Sequence, residues 1–397
     1  MISVAEARSR ILAALRPVGQ EIVPLAGAYG RVLGADINAR VAHPPADVSA
    51  MDGYAVRAED AVPGLRLRVI GEAPAGHPFA GNVGRGEAVR LFTGSFVPAG
   101  ADAILIQENT LPAPGGVEVT EPVTVGRHIR RQGQDFALGD VLLAAGGRMT
   151  VRDVALGAAG NHPWVRVFRR PRVAILATGD EISLPGEALG VGGIVNSNST
   201  MLAALVSAYG GEAFVLPAAG DDAAAIAAAA DSARGADLLV TTGGASVGAH
   251  DLVQAGLDRQ GFALDFWKIA MRPGKPLIFG RIGDMPVLGL PGNPVSAYVC
   301  AVLYLGPALA VLAGQAAAGP VFEAARLQGS LGPNDVREDY LRARLHRRDG
   351  GWVVEPFVRQ DSAMLTPLAA SGALLRRPPF QPALADGDVV EIIRLGL

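Results

Sequence analysis

Residues 237–251 read DLLVTTGGASVGAHD, an apolar run that passes directly into a loop with three glycines and three hydroxyl side chains. An uninterrupted apolar run is typical of a strand that is buried on both faces, as in a parallel sheet. Glycines after such a strand let the backbone approach a ligand closely, and loop N–H groups suit an anion. We interpret Thr242, Gly243, Gly244 and Ser246 as ligand-binding positions, although an ordinary glycine turn explains this loop, taken alone, equally well.

Strand-like and helix-like runs alternate on both sides of this loop. The strand-like runs are RVAILAT, EAFVLPA, ADLLVTT, LDFWKIA, PLIFG and MPVLGL. Apolar strands separated by helices predict a mostly parallel sheet with helices on both faces, which is a three-layer α/β domain. Short β-like runs precede and follow this region, so the fold class is multidomain α/β with a β-rich second domain and a C-terminal β-barrel.

Composition excludes several classes of protein. The chain has 397 residues, half of them hydrophobic, and a net charge of −3, which favours neither a nucleic-acid-binding protein nor a disordered chain. Cys300 is the single cysteine, so a disulfide framework or a cysteine-rich metal site is impossible. Ser3 and Glu6 form a capping-box pattern on a charged amphipathic helix, unlike a signal peptide, and we expect a cytoplasmic protein.

The stretch VSAYVCAVLYLGPALAVLAG, residues 295–314, has the length and the lack of charge of a membrane span. Pro307 lies inside it, and no basic residues flank it. We therefore expect a buried core helix and no membrane segment.

The two lysines of the chain, Lys268 and Lys275, lie in one short segment, FWKIAMRPGKP, and the other basic residues are all arginine. In a chain so biased toward arginine, lysine should persist where a compact ammonium is hard to replace by a planar guanidinium. We interpret both lysines as functional, with chance survival as the alternative.

Two further glycine loops, ATGDEISLPG and LPGNPVSA, occur at corresponding points of the α/β pattern. Loops that follow parallel strands gather at one edge of the sheet, where ligands bind. The carboxylates expected at this edge are Asp180, Glu181, Asp221, Asp222 and Asp251. Carboxylates that face an anionic ligand usually imply a hard cation such as Mg²⁺, although Asp221 and Asp222 also suit helix N-caps.

Six motifs occur in one order along the chain: PPADVSAMDGYAVR, LFTGSFVPAGADAILIQE, ATGDEI, TTGGASVG, FWKIAMRPGKP and LPGNPVSA. In this order they resemble the molybdopterin molybdenumtransferases, the molybdenum-insertion enzymes of the MoeA and gephyrin E-domain family. The resemblance covers essentially the whole chain. Each motif alone is a weak signal, but six motifs in family order are highly specific.

The resemblance implies an elongated homodimer of four-domain subunits. The implied reaction takes adenylylated molybdopterin and molybdate, inserts the metal at the dithiolene and releases AMP, with Mg²⁺ assisting. It further implies small-molecule substrates and transient contact with other molybdenum cofactor biosynthesis proteins, without nucleic acid or membrane. The boundaries that we predict are 1–40 with 140–168 for a discontinuous N-terminal domain, 41–139 for the β-rich domain, 169–318 for the molybdopterin-binding α/β domain and 319–397 for the barrel.

The resemblance also implies roles for individual residues. The catalytic positions are Asp52, Glu181, Asp221, Asp251, Lys268 and Lys275, with Glu181, Asp221 and Asp251 as the metal ligands. The substrate-binding positions are Thr93, Asp135, Arg272, Arg342 and Ser362, to which we add the loop residues Thr242, Gly243, Gly244, Ser246, Pro291, Gly292 and Asn293. The family usually has lysine where this chain has Arg272, so a guanidinium replaces an ammonium here, and either group can hold an oxyanion.

Several alternatives stay open at this point. The arginine of the C-terminal domain is Arg337, Arg342 or Arg344, and we favour Arg342 from its position relative to Tyr340. Asp52 and Asp135 both lie beside or near glycine, so they also suit turn capping. A non-catalytic dimeric scaffold, or a pterin-binding relative that shares the α/β domain, are the alternative functions.

Overall fold

A computed structural model describes residues 1–243, 249–348 and 350–396, with the backbone alone for residues 249–251. The chain forms two compact units. The larger unit contains Met1–Glu21, Gly30–Gly34 and Arg166–Leu397, and the smaller unit contains Ile22–Tyr29 and Ala35–Val165. The four-domain division stays a prediction.

The first elements along the chain are helix α1 (Val4–Ala14) and strand β1 (Gln20–Pro24). The smaller unit then adds the strands β2 (Ile37–Asn38), β3 (Val48–Ser49), β4 (Gly53–Val56), β5 (Arg66–Ala73), β6 (Glu87–Leu91), β7 (Ala103–Ile106), β8 (Thr110–Ala113), β9 (Gly116–Val119), β10 (Ile129–Arg130) and β11 (Val141–Leu143), and helix α2 (Val151–Ala159). Short 3₁₀ turns occupy Leu25–Gly27, Ala58–Asp60 and Gln107–Asn109.

Six of these strands form one sheet in the order β7-β4-β6-β5-β9-β8. All neighbours are antiparallel except β5 and β6. Successive residues of a strand point to opposite faces, and here both faces are buried: Ala88 belongs to one apolar cluster and Val89 to the other. This confirms the predicted β-rich module.

The α/β part of the larger unit follows strand β12 (Trp164–Phe168). Its strands are β13 (Arg172–Ala177), β14 (Ile182–Ser183), β15 (Ile194–Val195), β16 (Glu212–Val215), β17 (Leu238–Thr242), β18 (Phe262–Trp267), β19 (Met271–Arg272), β20 (Ile278–Ile282) and β21 (Met285–Leu290). Its helices are α3 (Ser197–Ala208), α4 (Ala223–Asp231), α5 (Ala249–Asp258), α6 (Pro294–Cys300) and α7 (Gly306–Leu312).

The main sheet of this part has the order β16-β13-β17-β21-β20-β18. β16, β13, β17 and β21 are parallel, while β20 and β18 are antiparallel to their neighbours. Side chains of β13 alternate between two cores: Val173 and Ile175 pack with α1, α3, α6 and α7, whereas Ala174 and Leu176 pack with α4 and α5. The three-layer, mostly parallel α/β domain is therefore confirmed.

Helices α6 and α7 are joined by a π-helical stretch at Ala301–Leu305 into a continuous helix, Pro294–Leu312. Pro307 cannot donate a backbone hydrogen bond, and a wider π turn directly before it relieves the clash of its ring with the preceding turn. Within the described residues this is the one helix long and apolar enough to cross a membrane, and 89% of its apolar window is buried inside the protein. It packs as the predicted core helix.

The last part of the larger unit is a closed barrel with a short helix. Its elements are β22 (Glu323–Leu327), β23 (Glu338–Arg348), β24 (Gly351–Pro356), α8 (Leu365–Ala369), β25 (Ala373–Arg377) and β26 (Val389–Arg394). The strands pair in the order β23-β24-β22-β26-β25, and β25 pairs back with β23, so the sheet has no free edge in the barrel. Because β19 adds to β23 in parallel, the α/β part and the barrel share hydrogen bonds.

Ile175 tests the sandwich of sheet and helices. It is completely buried on β13, while Val215, its register partner on β16, is 47% exposed. Ile175→Ala should lower the free energy of unfolding by about 2–4 kcal/mol because it leaves a cavity between the layers. Val215→Ala, as the control, should cost less than about 1 kcal/mol. Urea denaturation followed by tryptophan fluorescence measures both, and equal losses would contradict the layered packing.

Candidate functional site

A pocket of about 970 Å³ opens at the carboxyl ends of the parallel strands β13, β17 and β21. This is the edge of an open α/β sheet at which ligands bind. The loops after these three strands form one side of the pocket, and residues of the barrel form another. Its volume is within the range of small-molecule sites.

Ten of the predicted site residues line this pocket: Glu181, Asp221, Thr242, Gly243, Arg272, Lys275, Pro291, Gly292, Asn293 and Ser362. Lys268 and Arg342 lie in the same unit but do not line it. Asp52, Thr93 and Asp135 belong to the smaller unit. Gly244, Ser246 and the side chain of Asp251 lie outside the described residues.

The loops after β17 and β21 meet at van der Waals distance. A Cβ at Gly292 would lie 3.3 Å from the Gly243 Cα atom. Gly243 has φ +102°, and a Cβ there would lie 2.3 Å from the Thr178 carbonyl oxygen. Glycine is therefore required at Gly243 by backbone conformation and by space, and the approach of a ligand to this backbone stays a prediction.

Asn198 joins these two loops. Its Nδ2 donates to the Thr242 Oγ1 at 2.9 Å and to the Gly292 carbonyl oxygen at 2.6 Å. Thr242 Oγ1 in turn lies 3.3 Å from the Pro291 carbonyl oxygen that accepts its hydrogen bond. Asn198 is not among the residues predicted from the sequence, although two asparagines within three residues at a helix start, as in VNSNS, are a detectable N-cap signal. The first of them, Asn196, is the N-cap of α3.

Glu181 and Asp221 form the acidic side of the pocket. Asp180 supports the second of them, because its Oδ1 accepts a hydrogen bond from the Asp221 N–H at 2.9 Å. Asp222 has a separate role as the N-cap of α4, where its Oδ2 accepts from the Ala225 N–H at 2.8 Å. Among the described residues no group of three histidine, cysteine or acidic side chains is close enough to hold a metal ion.

The two lysines occupy different environments. Lys275 lies on the pocket lining, and its ammonium has no ion-pair or hydrogen-bond partner within the described part of the chain. Lys268 has φ +75°, a conformation that non-glycine residues rarely adopt. Its Nζ lies 3.4 Å from the centroid of the Trp267 ring, a cation–π contact.

Arg272 contacts the barrel. Its guanidinium donates to Asp335 at 3.2 Å, to Asn334 at 3.4 Å and to Asp339. The hydrogen bond to Asp339 raises the pKa of the Arg272 guanidinium, and burial raises the pKa of the Asp339 carboxyl. This arginine therefore couples the α/β part to the barrel at the pocket rim. Its N–H groups donate to protein acceptors instead of to a bound oxyanion.

The barrel contributes Ser362 through a loop that Arg342 supports. Ser362 Oγ accepts from Asn293 Nδ2 at 2.8 Å, and its carbonyl oxygen accepts from the Val295 N–H at 3.0 Å. Arg342 is 1% exposed, and its guanidinium donates to the carbonyl oxygens of Met364 and Arg359 at 2.8 and 3.2 Å. Burial lowers the pKa of Arg342.

Arg337, the alternative to Arg342 in the sequence analysis, does line the pocket. Its guanidinium donates to Asp335 at 3.2 Å, so that one carboxylate is shared by Arg337 and Arg272. Of the three candidate arginines of the barrel, Arg337 is thus the one that the structure places on the pocket surface, whereas Arg342 supports the loop of Ser362. The third, Arg344, lies 3.7 Å from Glu355 on the barrel.

In the smaller unit, Asp52 and Thr93 contact one another. Asp52 Oδ1 accepts from the Thr93 N–H at 2.7 Å and from its hydroxyl at 2.9 Å. The backbone hydrogen bond, and then the hydroxyl, lower the pKa of Asp52. Asp135 lines a separate pocket of about 630 Å³ in the same unit, together with Arg130 and Gly94, the residue after Thr93.

A larger pocket, about 1180 Å³, lies at the opposite, amino ends of β17 and β21. None of the predicted site residues lines it. Two of its carboxylates are already paired, Asp237 with Arg169 at 2.5 Å and Asp231 with Arg234 at 2.5 Å. Strand topology and free polar groups therefore favour the carboxyl-end pocket as the functional site.

Fold and pocket together define a multidomain protein whose α/β domain holds a small-molecule site at the junction with a barrel. Comparison with protein families gives three matches along the chain. Residues 2–160 match the MoeA N-terminal region (domain I and II), residues 174–311 match a probable molybdopterin binding domain, and residues 324–395 match the MoeA C-terminal region (domain IV).

Individual relatives agree with these matches. The chain is 36% identical over 395 residues to molybdopterin molybdenumtransferase 2 of Mycobacterium tuberculosis, covering 97% of this chain and 96% of that protein. It is 35% identical over 386 residues to the molybdopterin molybdenumtransferase of Nostoc, covering 94% and 88%. A solved structure of the molybdopterin biosynthesis MoeA protein from Pyrococcus horikosii superposes with a TM-score of 0.87 at 30% identity, covering 100% of both chains. The chain belongs to the molybdopterin molybdenumtransferase family, and it is an enzyme of molybdenum cofactor biosynthesis.

Arg272 tests the coupling at the pocket rim. Arg272→Met leaves Asp339, whose side chain is 4% exposed, without its cation, and should lower the free energy of unfolding by about 2–3 kcal/mol. Arg272→Lys keeps the positive charge but makes fewer hydrogen bonds, so the free energy of unfolding should fall by about 1 kcal/mol. Urea denaturation measures both losses.

The control for this test is Arg344→Met. The Arg344 side chain is 60% exposed and lies 3.7 Å from Glu355, so its removal should change stability by no more than about 0.5 kcal/mol. If Arg272→Met were as mild as this control, Arg272 would not couple the two parts.

Proposed function

We propose that this enzyme inserts molybdenum from molybdate into adenylylated molybdopterin and releases AMP in a Mg²⁺-dependent reaction. One observation carries the proposal. A single pocket is lined by the carboxylates of Glu181 and Asp221, by a barrel hydroxyl, Ser362, and by the ammonium of Lys275, which has no partner among the described residues. Such a pocket can hold a cation, an oxyanion and a polar ring at the same time.

The basic side suits molybdate. Molybdate is a tetrahedral dianion like phosphate, and cationic side chains, hydroxyls and backbone N–H groups bind such anions well. Lys275, Arg337 and Ser362 line this side. We assign the oxyanion to these three, with Arg342 holding the Ser362 loop in place and Arg272 acting through its contacts to the barrel. We also assign Lys268 to the oxyanion, on the basis of the family resemblance alone.

The acidic side suits Mg²⁺. This ion is usually held by one or two carboxylates together with waters and substrate phosphates, and Glu181 and Asp221 are two carboxylates that line this pocket. The donor set therefore fits, with Asp251 proposed as a third ligand from its motif. When bound, Mg²⁺ would screen the charge of the adenylyl phosphates.

The chain itself needs no nucleophilic side chain, because the dithiolene sulfurs of the substrate bind the metal. Its residues position two negatively charged substrates that would otherwise repel each other. The glycines of the loops admit the ligand to the backbone, and the lysine neutralises the oxyanion. Positioning and charge compensation are thus the contribution of the protein.

The same proposal includes a homodimer in the cytoplasm that contacts other cofactor-biosynthesis proteins transiently. It assigns Asp52, Thr93 and Asp135 of the smaller unit to the substrate by resemblance. The Asp52–Thr93 pair supports this, since two hydrogen bonds keep the carboxylate ionised. A purely structural scaffold is not favoured, because relatives named as transferases match nearly the whole chain.

Lys275→Arg tests the basic side. A guanidinium is wider than an ammonium and directs its donors in a fixed plane, so it should fit poorly between Pro273 and Pro276 against an oxyanion. We expect molybdate-dependent cofactor formation to fall at least about tenfold, or roughly 1.4 kcal/mol in the barrier. Assays at low and at saturating molybdate separate binding from chemistry.

The control is Arg234→Lys, an exposed exchange at the opposite end of the sheet, which should leave the rate unchanged. Full activity of Lys275→Arg at both molybdate concentrations would show that the persistence of lysine here is chance.

Asp221→Asn tests the acidic side. Loss of one carboxylate charge should weaken Mg²⁺ binding, so that half-maximal AMP release requires at least about tenfold more Mg²⁺. Asp222→Asn is the matched control, because the adjacent carboxylate caps α4 and does not line the pocket. An unchanged Mg²⁺ dependence in Asp221→Asn would remove this residue from the proposed site.

A further inference from the structure

Two buried polar atoms at the floor of the carboxyl-end pocket lack a hydrogen-bond partner among the described residues. They are Thr178 Oγ1 and Asn198 Oδ1. The residues are 1% and 9% exposed, and both line the pocket. An unsatisfied buried polar group costs free energy, so its presence in a folded protein needs an explanation.

The orientation of the Asn198 amide is fixed by its neighbours. The Gly292 carbonyl oxygen can only accept a hydrogen bond, so the atom that lies 2.6 Å from it must be Nδ2. Nδ2 also donates to Thr242 Oγ1 at 2.9 Å. Both amide protons are therefore used, and Oδ1 is left as an acceptor without a donor.

The two unpaired atoms belong to side chains that flank the same short segment, Thr242–Gly243. Asn198 hydrogen-bonds the Thr242 side chain, and the Thr178 N–H donates to the Thr242 carbonyl oxygen at 3.0 Å. A Cβ at Gly243 would lie 3.1 Å from Thr178 Oγ1. The two atoms therefore border the same segment of the pocket lining.

We propose that Thr178 and Asn198 are specificity-determining residues that recognise the neutral N–H and C=O edge of the pterin ring. The proposal rests on the proposed function and names the part of its substrate that binds here. Asn198 Oδ1 accepts from the amino group of the ring, while the Thr178 hydroxyl can donate to the carbonyl oxygen of the same edge. A site with such buried groups rejects an analogue that leaves them unpaired.

The chemistry of the two atoms argues against an ion at this floor. An oxyanion would face the Oδ1 acceptor of Asn198, which repels it. A divalent cation is favoured where carboxylates supply charge, and no carboxylate contacts Thr178 or Asn198 among the described hydrogen bonds. An uncharged edge with both a donor and an acceptor satisfies both atoms.

Thr178→Val is the informative variant, because valine has nearly the same shape and leaves the Asn198 bridges in place. Removing an unpaired buried hydroxyl should leave the melting temperature unchanged or raise it. The KM for adenylylated molybdopterin should nevertheless rise at least about tenfold while kcat changes little. The matched control is Thr241→Val, the same change at a neighbouring position that is 1% exposed and does not line the pocket.

A binding experiment with two probes identifies the recognised edge. 6-Carboxypterin and 6-carboxylumazine differ at the ring amino group, which lumazine replaces by a carbonyl, and both are followed by fluorescence titration. The wild-type enzyme should bind the pterin at least about tenfold more tightly than the lumazine, because Asn198 Oδ1 accepts from the amino group. Thr178→Val should weaken the binding of both probes by a similar factor, because both probes carry the carbonyl group that Thr178 contacts.

The outcomes are distinguishable. If the wild-type enzyme does not discriminate the probes, or if Thr178→Val keeps the wild-type KM, the inference is wrong while the proposed function stands. If Thr178→Val loses Mg²⁺ affinity and binds both probes as tightly as the wild-type enzyme does, the two atoms are cation ligands and the inference is again wrong. If the wild-type enzyme forms no cofactor from adenylylated molybdopterin and molybdate, the proposed function itself fails.

Discussion

The functional pocket depends on the approach of two glycine loops to van der Waals distance. Any side chain at Gly243 would overlap the Thr178 carbonyl oxygen, and any side chain at Gly292 would press on the Gly243 backbone. The approach is stabilised by Asn198, which hydrogen-bonds both loops at once. Because the loops follow neighbouring parallel strands, the sheet brings them together and the asparagine fixes their separation.

The second constraint is the attachment of the barrel to this sheet. β19 pairs with β23, Arg272 holds Asp339, and Asn293 holds Ser362. These contacts bring a hydroxyl and Arg337 of the barrel to a pocket whose other wall is made by the α/β loops. Arginine suits position 272 because three acceptors, Asp335, Asn334 and Asp339, surround it, and one ammonium could not reach all of them.

Much of the fold could be predicted from the sequence, because apolar strands that alternate with helices have few other stable arrangements. The loops of the site followed from the same reasoning, since the ends of parallel strands meet at one edge. Asn198 and the pocket position of Arg337 could not be predicted in this way. The role of Asn198 arises from its contact with Gly292, which is 94 residues away in the sequence. The position of Arg337 depends on the strand register of the barrel, which the hydrophobic periodicity of the sequence does not reveal. Similarly, burial of Arg342 under the Ser362 loop depends on packing and not on its motif.

The distribution of lysine and arginine follows the same physical distinction. Arg272, Arg342 and Arg376 each bind two or more acceptors of fixed geometry in the barrel or at its junction, which suits a planar group with several donors. Lys275 has no such partners among the described residues and lies on the pocket lining, and Lys268 stacks on Trp267 in a strained backbone conformation. These three arginines lie where the protein supplies the acceptors. Lys275 lies where, under the proposed function, the substrate supplies them.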